Sequence, residues 1–173
     1  TIIYQAPIAA NNTLEALANT TAWQQTQGVS YSNSTATLNE STTTQSRLGQ
    51  VFTVGASDRY LQFTVSNRVL DDQNAAPDDA FEMALLNAAT GQSVLGLTGL
   101  SSNDAALNIQ ADGTQHKAQE LTNVINSDGS QTYLIDLQGI AAGTALNLVF
   151  DLIGFGEANS QVTISDVKLI NTW

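Results

Sequence analysis

Three stretches near the C-terminus carry the decisive pattern: Gln131-Thr-Tyr-Leu-Ile-Asp-Leu137, Ala145-Leu-Asn-Leu-Val-Phe-Asp-Leu-Ile153 and Val162-Thr-Ile-Ser-Asp-Val-Lys-Leu-Ile170. Each is short and rich in Val, Ile, Leu and aromatic residues, and turn-forming residues separate it from the next. That texture belongs to strands. In the last stretch Val162 and Ile164 share one parity, while Val167 and Leu169 take the other. A change of parity at Ser165-Asp166 predicts a β-bulge.

Working outward, Tyr60-Leu-Gln-Phe-Thr-Val65 alternates with period two and places Leu61, Phe63 and Val65 on one face. Gln50 to Val54 is a short strand followed by a turn over Gly55 to Asp58. Ala80 to Leu86 is another, closed by a turn over Asn87 to Gly91, with Val94 to Leu97 as a short partner. Val29 to Glu40 is Ser/Thr-rich with partial alternation through Tyr31, Ala36 and Leu38. The one helical signal is Asn11-Asn12-Thr13-Leu-Glu15-Ala-Leu17, where Asn12 or Thr13 can cap and Glu15 suits the first turn. Thr1 to Pro7 is apolar and extended, an edge strand or an entering linker. Many short strands and one helical turn predict an all-β, antiparallel sandwich of the jelly-roll kind. Residues 1–173 read as one domain, with 1–10 as its N-terminal strand or linker.

Composition narrows the function. Sixteen acids against five bases give a formal net charge of −11. Such a surface repels phosphate backbones and anionic membranes, so nucleic acid is excluded as a partner. Apolar runs such as Ala145 to Leu152 are broken by polar residues, and membrane insertion is not expected. With no cysteine, disulfides, Cys-based zinc sites and thiol nucleophiles are ruled out. Ser, Thr, Asn and Gln make up 64 of the 173 residues, a texture of secreted bacterial β-proteins. Thr1 follows no basic-plus-apolar leader within this chain, so a signal peptide is expected to have been removed or to lie in a longer parent. Four Asn-X-Ser/Thr triplets, at Asn11, Asn19, Asn33 and Asn39, matter only where asparagine is glycosylated.

The densest chemical feature is Asp71-Asp72-Gln73-Asn74-Ala-Ala-Pro77-Asp78-Asp79-Ala80-Phe81-Glu82, five acids in twelve residues, with no base between Arg68 and Lys117. Adjacent carboxylates need neutralisation, which calcium supplies by taking six to eight hard oxygen ligands. Asp71, Asp72, Asp78 and Asp79 are the candidate ligands, with Asp104 from a second loop. The spacing is not an EF-hand, and a solvated acidic loop is the alternative. Asp166 is either a carboxylate turned to a metal or a bulge residue facing water. Asp112-Gly113 reads as a turn.

Catalysis has little support. His116, the single histidine, sits in a polar stretch without a nucleophile motif. Sugar stacking needs exposed rings, and the inventory is thin at 6 % aromatic. Trp23, Tyr31 and Tyr60 are the candidates for ligand contact, Tyr133 begins a strand that can line a rim, and core packing is the alternative for each. Trp173 ends the chain.

The strings Gly49-Gln50-Val-Phe-Thr-Val54, Tyr60 to Val65, Pro77-Asp78-Asp79-Ala80-Phe81-Glu82-Met-Ala-Leu-Leu86, Phe150-Asp151-Leu-Ile-Gly-Phe155 and Val162 to Leu169 resemble modules of large secreted bacterial surface proteins and adhesins. They are also similar to galactose-binding-like jelly rolls of carbohydrate-binding modules, whose last strand often ends Asp-Val-x-Leu. The resemblance implies a non-catalytic, calcium-stabilised module displayed on the cell surface or secreted, binding glycan or peptide. A structural stalk or fibre subunit, self-associating by strand donation from Thr1 to Ile8, is the competing expectation.

Overall fold

The computed structural model describes residues 9–40, 45–71, 77–96, 104–155 and 159–173. Twelve strands are found among them: β1 (Gln24–Gln25), β2 (Val29–Ser32), β3 (Thr35–Asn39), β4 (Gln45–Thr53), β5 (Tyr60–Val69), β6 (Ala80–Asn87), β7 (Leu107–Gln110), β8 (Gln115–Lys117), β9 (Leu121–Ile125), β10 (Gln131–Asp136), β11 (Ala145–Ile153) and β12 (Gln161–Ile170). They form two sheets of six, in the orders β1-β4-β11-β6-β7-β8 and β2-β3-β12-β5-β10-β9. Every strand pairing is antiparallel. The molecule is the two-layer β-sandwich that the alternating runs predict.

Alternation explains why the two layers close. Leu48, Phe52, Leu146, Leu148, Phe150, Phe81, Met83 and Leu85 of the first sheet meet Leu61, Phe63, Val65, Tyr133, Ile135, Val162 and Ile164 of the second in one buried cluster. A line of rings crosses it. Tyr133 stacks on Phe63 at 5.1 Å, Phe63 meets Phe150 edge-on at 5.1 Å, and Phe150 stacks with Phe81 at 6.2 Å. Offset and edge-on aromatic pairs of this kind add roughly 0.5–1.5 kcal/mol each beyond their buried area.

Two irregularities re-aim side chains. The predicted bulge is present: Ser165 pairs with Thr64 and Lys168 with Gln62, leaving Asp166 in the left-handed region at φ 52 and exposed. A second bulge lies on β5, where Thr163 pairs with Ser66 but Gln161 with Val69, and Asn67 has φ 46.

Several local expectations are corrected. Asn11 to Leu17 forms no helical turn; Asn11 bridges to Phe52, and the Asn11 amide and Glu15 backbone bond to the buried Gln50 side chain instead. The short helix is a 3₁₀ turn at Thr20–Ala22. Residues 29–40 are a hairpin, broken at Asn33 with φ 54, which suits a two-residue turn. At 94–96 there is no strand, only a bridge from Ser93 to Leu86; Leu97 and residues 1–8 lie outside the described residues. β7, β8 and β9 arise where no strand is expected.

Candidate functional site

The predicted acids come together only in part. Asp79, just before β6, is buried, and its carboxylate accepts a hydrogen bond from the Ser160 hydroxyl. The same hydroxyl oxygen accepts the Asp71 N–H at 2.9 Å, and the Asp79 N–H donates to the Asp71 carbonyl at 3.0 Å. Glu40, which the sequence did not single out, joins them by accepting the N–H groups of Asn159 and Ser160 at 3.0 and 3.3 Å. Burial raises the Asp79 carboxyl above its ordinary range; the Ser160 hydrogen bond opposes this, and neighbouring Glu40 and Asp71 add to it. Asp78 is exposed and Asp72 lies outside the described residues. Asp104 leads into β7 beside the middle of β6, where Ala106 N–H bonds the Met83 carbonyl. Four residues of strand, about 13 Å, separate Met83 from Asp79. Among the described residues no three Asp, Glu or His gather at metal-ligating distance.

Of the predicted ring contacts, Trp23 is 5 % exposed within the core, its indole N–H donating to the Ala16 carbonyl at 3.2 Å. Tyr31 is half-buried against the core, with burial raising its hydroxyl pKa. Tyr60 is half-buried under the Arg59 guanidinium, 5.3 Å from the ring centre. The three share no common platform. Trp173 is exposed.

Register reveals a row no motif announces. Arg47 pairs with Asp151, Asp151 with Glu82, Glu82 with Asn108 and Asn108 with His116, across five strands of the first sheet. These residues share a face with Val149, Ala84 and Leu86, away from the main core. Arg47 donates to both Asp151 oxygens, at 3.4 and 3.0 Å. Burial raises the Asp151 carboxyl, against the Arg47 hydrogen bonds and charge, and Glu82 adds to the rise.

An open pocket of about 140 Å³ lies where β5 ends and β10 begins, lined by Val65, Ser66, Asn67, Arg68, Gly129, Gln131 and Tyr133. The β5 bulge builds it. Leu61, Phe63 and Val65 face the core before the extra residue, and Leu70 packs against the core after it. Parity therefore turns Arg68 inward, although it is five residues from Phe63 and would otherwise face out. Behind the pocket, Gln131 Oε1 accepts Gln115 Nε2 and Asn123 Nδ2, each at 3.0 Å, with the Tyr133 hydroxyl 3.1 Å away. The Tyr133 hydroxyl also lies 2.8 Å from Gln115 Oε1, and Lys117 Nζ donates to Asn123 Oδ1. With its oxygen so held, the Gln131 amide is fixed and its Nε2 makes no protein hydrogen bond among the described residues. Burial pushes the Tyr133 pKa up to about 12, against the charge of Arg68 and the Gln115 hydrogen bond, so the hydroxyl keeps its proton. Among the described residues, no carboxylate lines the pocket. Sequence reasoning missed Ser66, Asn67, Arg68 and Gln131; the parity change between Val65 and Leu70 was the available signal.

The fold and this end pocket define a two-sheet β-sandwich with a small, mainly polar recess at its rim. No protein-family model matches the chain, and no curated protein matches it. Among solved structures it is similar to CBM28, a carbohydrate-binding module specific for non-crystalline cellulose, at 14 % identity and a TM-score of 0.42 over 98 % of both chains. It is also similar to the enzymatically active domain of tailspike protein 4 of bacteriophage CBA120, at 10 % identity and a TM-score of 0.41 over 95 % of this chain; the chain spans about a fifth of that protein's length, 21 %.

Proposed function

We propose that this chain is a non-catalytic glycan-binding module of a secreted or surface-displayed protein, and that the pocket at Arg68, Gln131 and Tyr133 is its ligand site. One observation carries the reading: a recess lined by Ser66, Asn67, Arg68 and a pinned Gln131 amide, whose donors are not consumed by the protein. Sugars offer many hydroxyls in a fixed ring, and a rigid set of amide, hydroxyl and guanidinium groups matches them. The volume is well under the roughly 300–1,000 Å³ of a drug-sized site, which suits one ring of a longer glycan. The lining residues pair no nucleophile with a base, and Tyr133 stays protonated, so the arrangement binds and orients.

Titrating the chain with a panel of neutral and acidic oligosaccharides, read by amide chemical shifts, tests this. Shifts should centre on Ser66 to Arg68 and Gln131, and Gln131→Ala should weaken binding about tenfold or more, the scale of one or two lost hydrogen bonds. Binding that leaves these amides unmoved would sink the assignment.

Calcium belongs to the proposal at the same end of the sandwich, with Asp71, Asp79 and Glu40 as ligand candidates. What supports it is the negative charge that Glu40 and Asp71 place beside the buried Asp79, although the three carboxylates do not converge at ligating distance among the described residues. Calcium should raise the melting temperature of wild type and leave Asp79→Asn unmoved; a shift of equal size in both would place any ion elsewhere.

A further inference from the structure

We propose that the end pocket selects a sugar bearing a carboxylate, a hexuronate unit, with the Arg68 guanidinium taking the carboxylate and Gln131, Asn67 and Ser66 the ring hydroxyls. The inference rests on reading the pocket as the glycan site.

The placement of the few cations carries it. The chain has five bases against sixteen acids. Arg47 is bound to Asp151, Arg59 contacts Asp136 at 3.3 Å and covers Tyr60, and Lys117 is held by Asn123. Lys168 is exposed on β12. Arg68 alone is turned into a pocket, and among the described residues it makes no hydrogen bond or ion pair. Surrounded by so many acids, an arginine finds a carboxylate unless the backbone points it away from all of them. The bulge at Asn67 does this, at the cost of a left-handed residue. Asp128, in the turn beside Gly129, gives its carboxylate to the Ser130 N–H at 3.0 Å and hydroxyl at 2.6 Å, and Asp71 lies with Asp79 and Ser160.

A guanidinium grips a carboxylate through two parallel N–H bonds, which a neutral hydroxymethyl group cannot accept. A peptide carboxylate fits less well, because the lining is mainly polar and offers no apolar recess for a side chain. The overall charge opposes an acidic ligand. At physiological salt the Debye length is about 8 Å, so the nearby guanidinium outweighs distant carboxylates.

Calorimetric titration with oligogalacturonate and its methyl ester, against wild type, Arg68→Lys, Arg68→Gln and Asn67→Asp, tests the proposal. The acid form should bind wild type at least about tenfold more tightly than the ester, the range of one charge-assisted pair. Arg68→Gln should bring the acid form down to the affinity of the ester, Arg68→Lys should keep part of the preference, and Asn67→Asp should weaken the acid form more than the ester. Melting temperatures close to wild type confirm that each variant is folded. Equal affinity for acid and ester in wild type, or a preference that survives Arg68→Gln, overturns the carboxylate assignment while leaving a glycan site. No binding of any sugar at the pocket overturns the glycan reading itself, and capture of peptide carboxylates instead of uronates overturns the sugar assignment.

Discussion

Asn67 shows how much one residue can decide. Its φ of 46 lies in the left-handed region, where a β-carbon costs roughly 1–2 kcal/mol and Asn is tolerated better than most residues. Its presence as the extra residue of the bulge changes which face Arg68 takes. Asn67→Gly is therefore expected to be near neutral in stability, and Asn67→Val to lose about 1–2 kcal/mol, because a β-branched residue is strained there. Urea unfolding gives the stabilities, and because both variants remove the Asn67 side chain from the pocket, uronate affinity should fall in both but further in Val, which also misplaces Arg68. Equal stability of Gly and Val would mean that the left-handed backbone is not what holds the bulge. The bulge at Asp166 was legible because apolar residues on both sides register the parity change. At Asn67 the same signal is blurred by Val69, which is 52 % exposed and so breaks the apolar-inside rule. Trp23 has the converse problem: Gln24 and Gln25 after it are polar and exposed, and its burial comes from joining the main core cluster, with its indole N–H on the Ala16 carbonyl seven residues back.

Strands with a long apolar face buried across the sandwich were readable, whereas the edge strands β8 and β9 and the four-residue interior strand β7 were not. β4, β5, β6, β11 and β12 each bury four residues or more, with β6 buried on both faces from Phe81 to Leu86. β8 buries none fully and β9 only Leu121, so hydrogen bonding to a neighbour makes them strands and periodicity carries no trace of it. The row Arg47–Asp151–Glu82–Asn108 was equally invisible, because its members are far apart in sequence and meet only through register. Its energetics follow from burial. Asp151 is fully buried and Arg47 is 9 % exposed, so removing the cation leaves two neighbouring buried carboxylates. Arg47→Met should cost about 3–5 kcal/mol, as expected when a buried ion pair is broken from one side. The double substitution Arg47→Met, Asp151→Leu should recover much of that loss, because neither charge is then stranded. A denaturant double-mutant cycle checks it; strictly additive losses would show that the two side chains act independently.

For the whole molecule, the acids set an unusual dependence on pH. Asp79 and Asp151 have folded-state pKa values raised by burial, so the stability they contribute is present below the ordinary carboxylate range and is lost as pH rises through the raised values. Asp112 and Asp128 run the other way. Hydrogen bonds from Thr114 and Ser130 lower them, so their contribution holds above the ordinary range and is lost as pH falls through the lowered values. Both are exposed, and screening by solvent leaves their effect small. The general repulsion of a chain with net charge −11 also weakens as carboxylates take up protons. All three considerations place the stability maximum on the mildly acidic side of neutrality. In chelator, the melting temperature should rise as pH falls from neutrality toward the ordinary carboxylate range, with only a small loss below it as the lowered carboxylates are protonated. Asp79→Asn removes one of the two raised groups while keeping the Ser160 hydrogen bond, so its melting curve should be less steep over that interval and should exceed wild type most at the alkaline end. Parallel curves for wild type and variant would show that Asp79 is ionised in the folded state without penalty, which would favour a compensating donor at that end of the sandwich over a buried neutral acid.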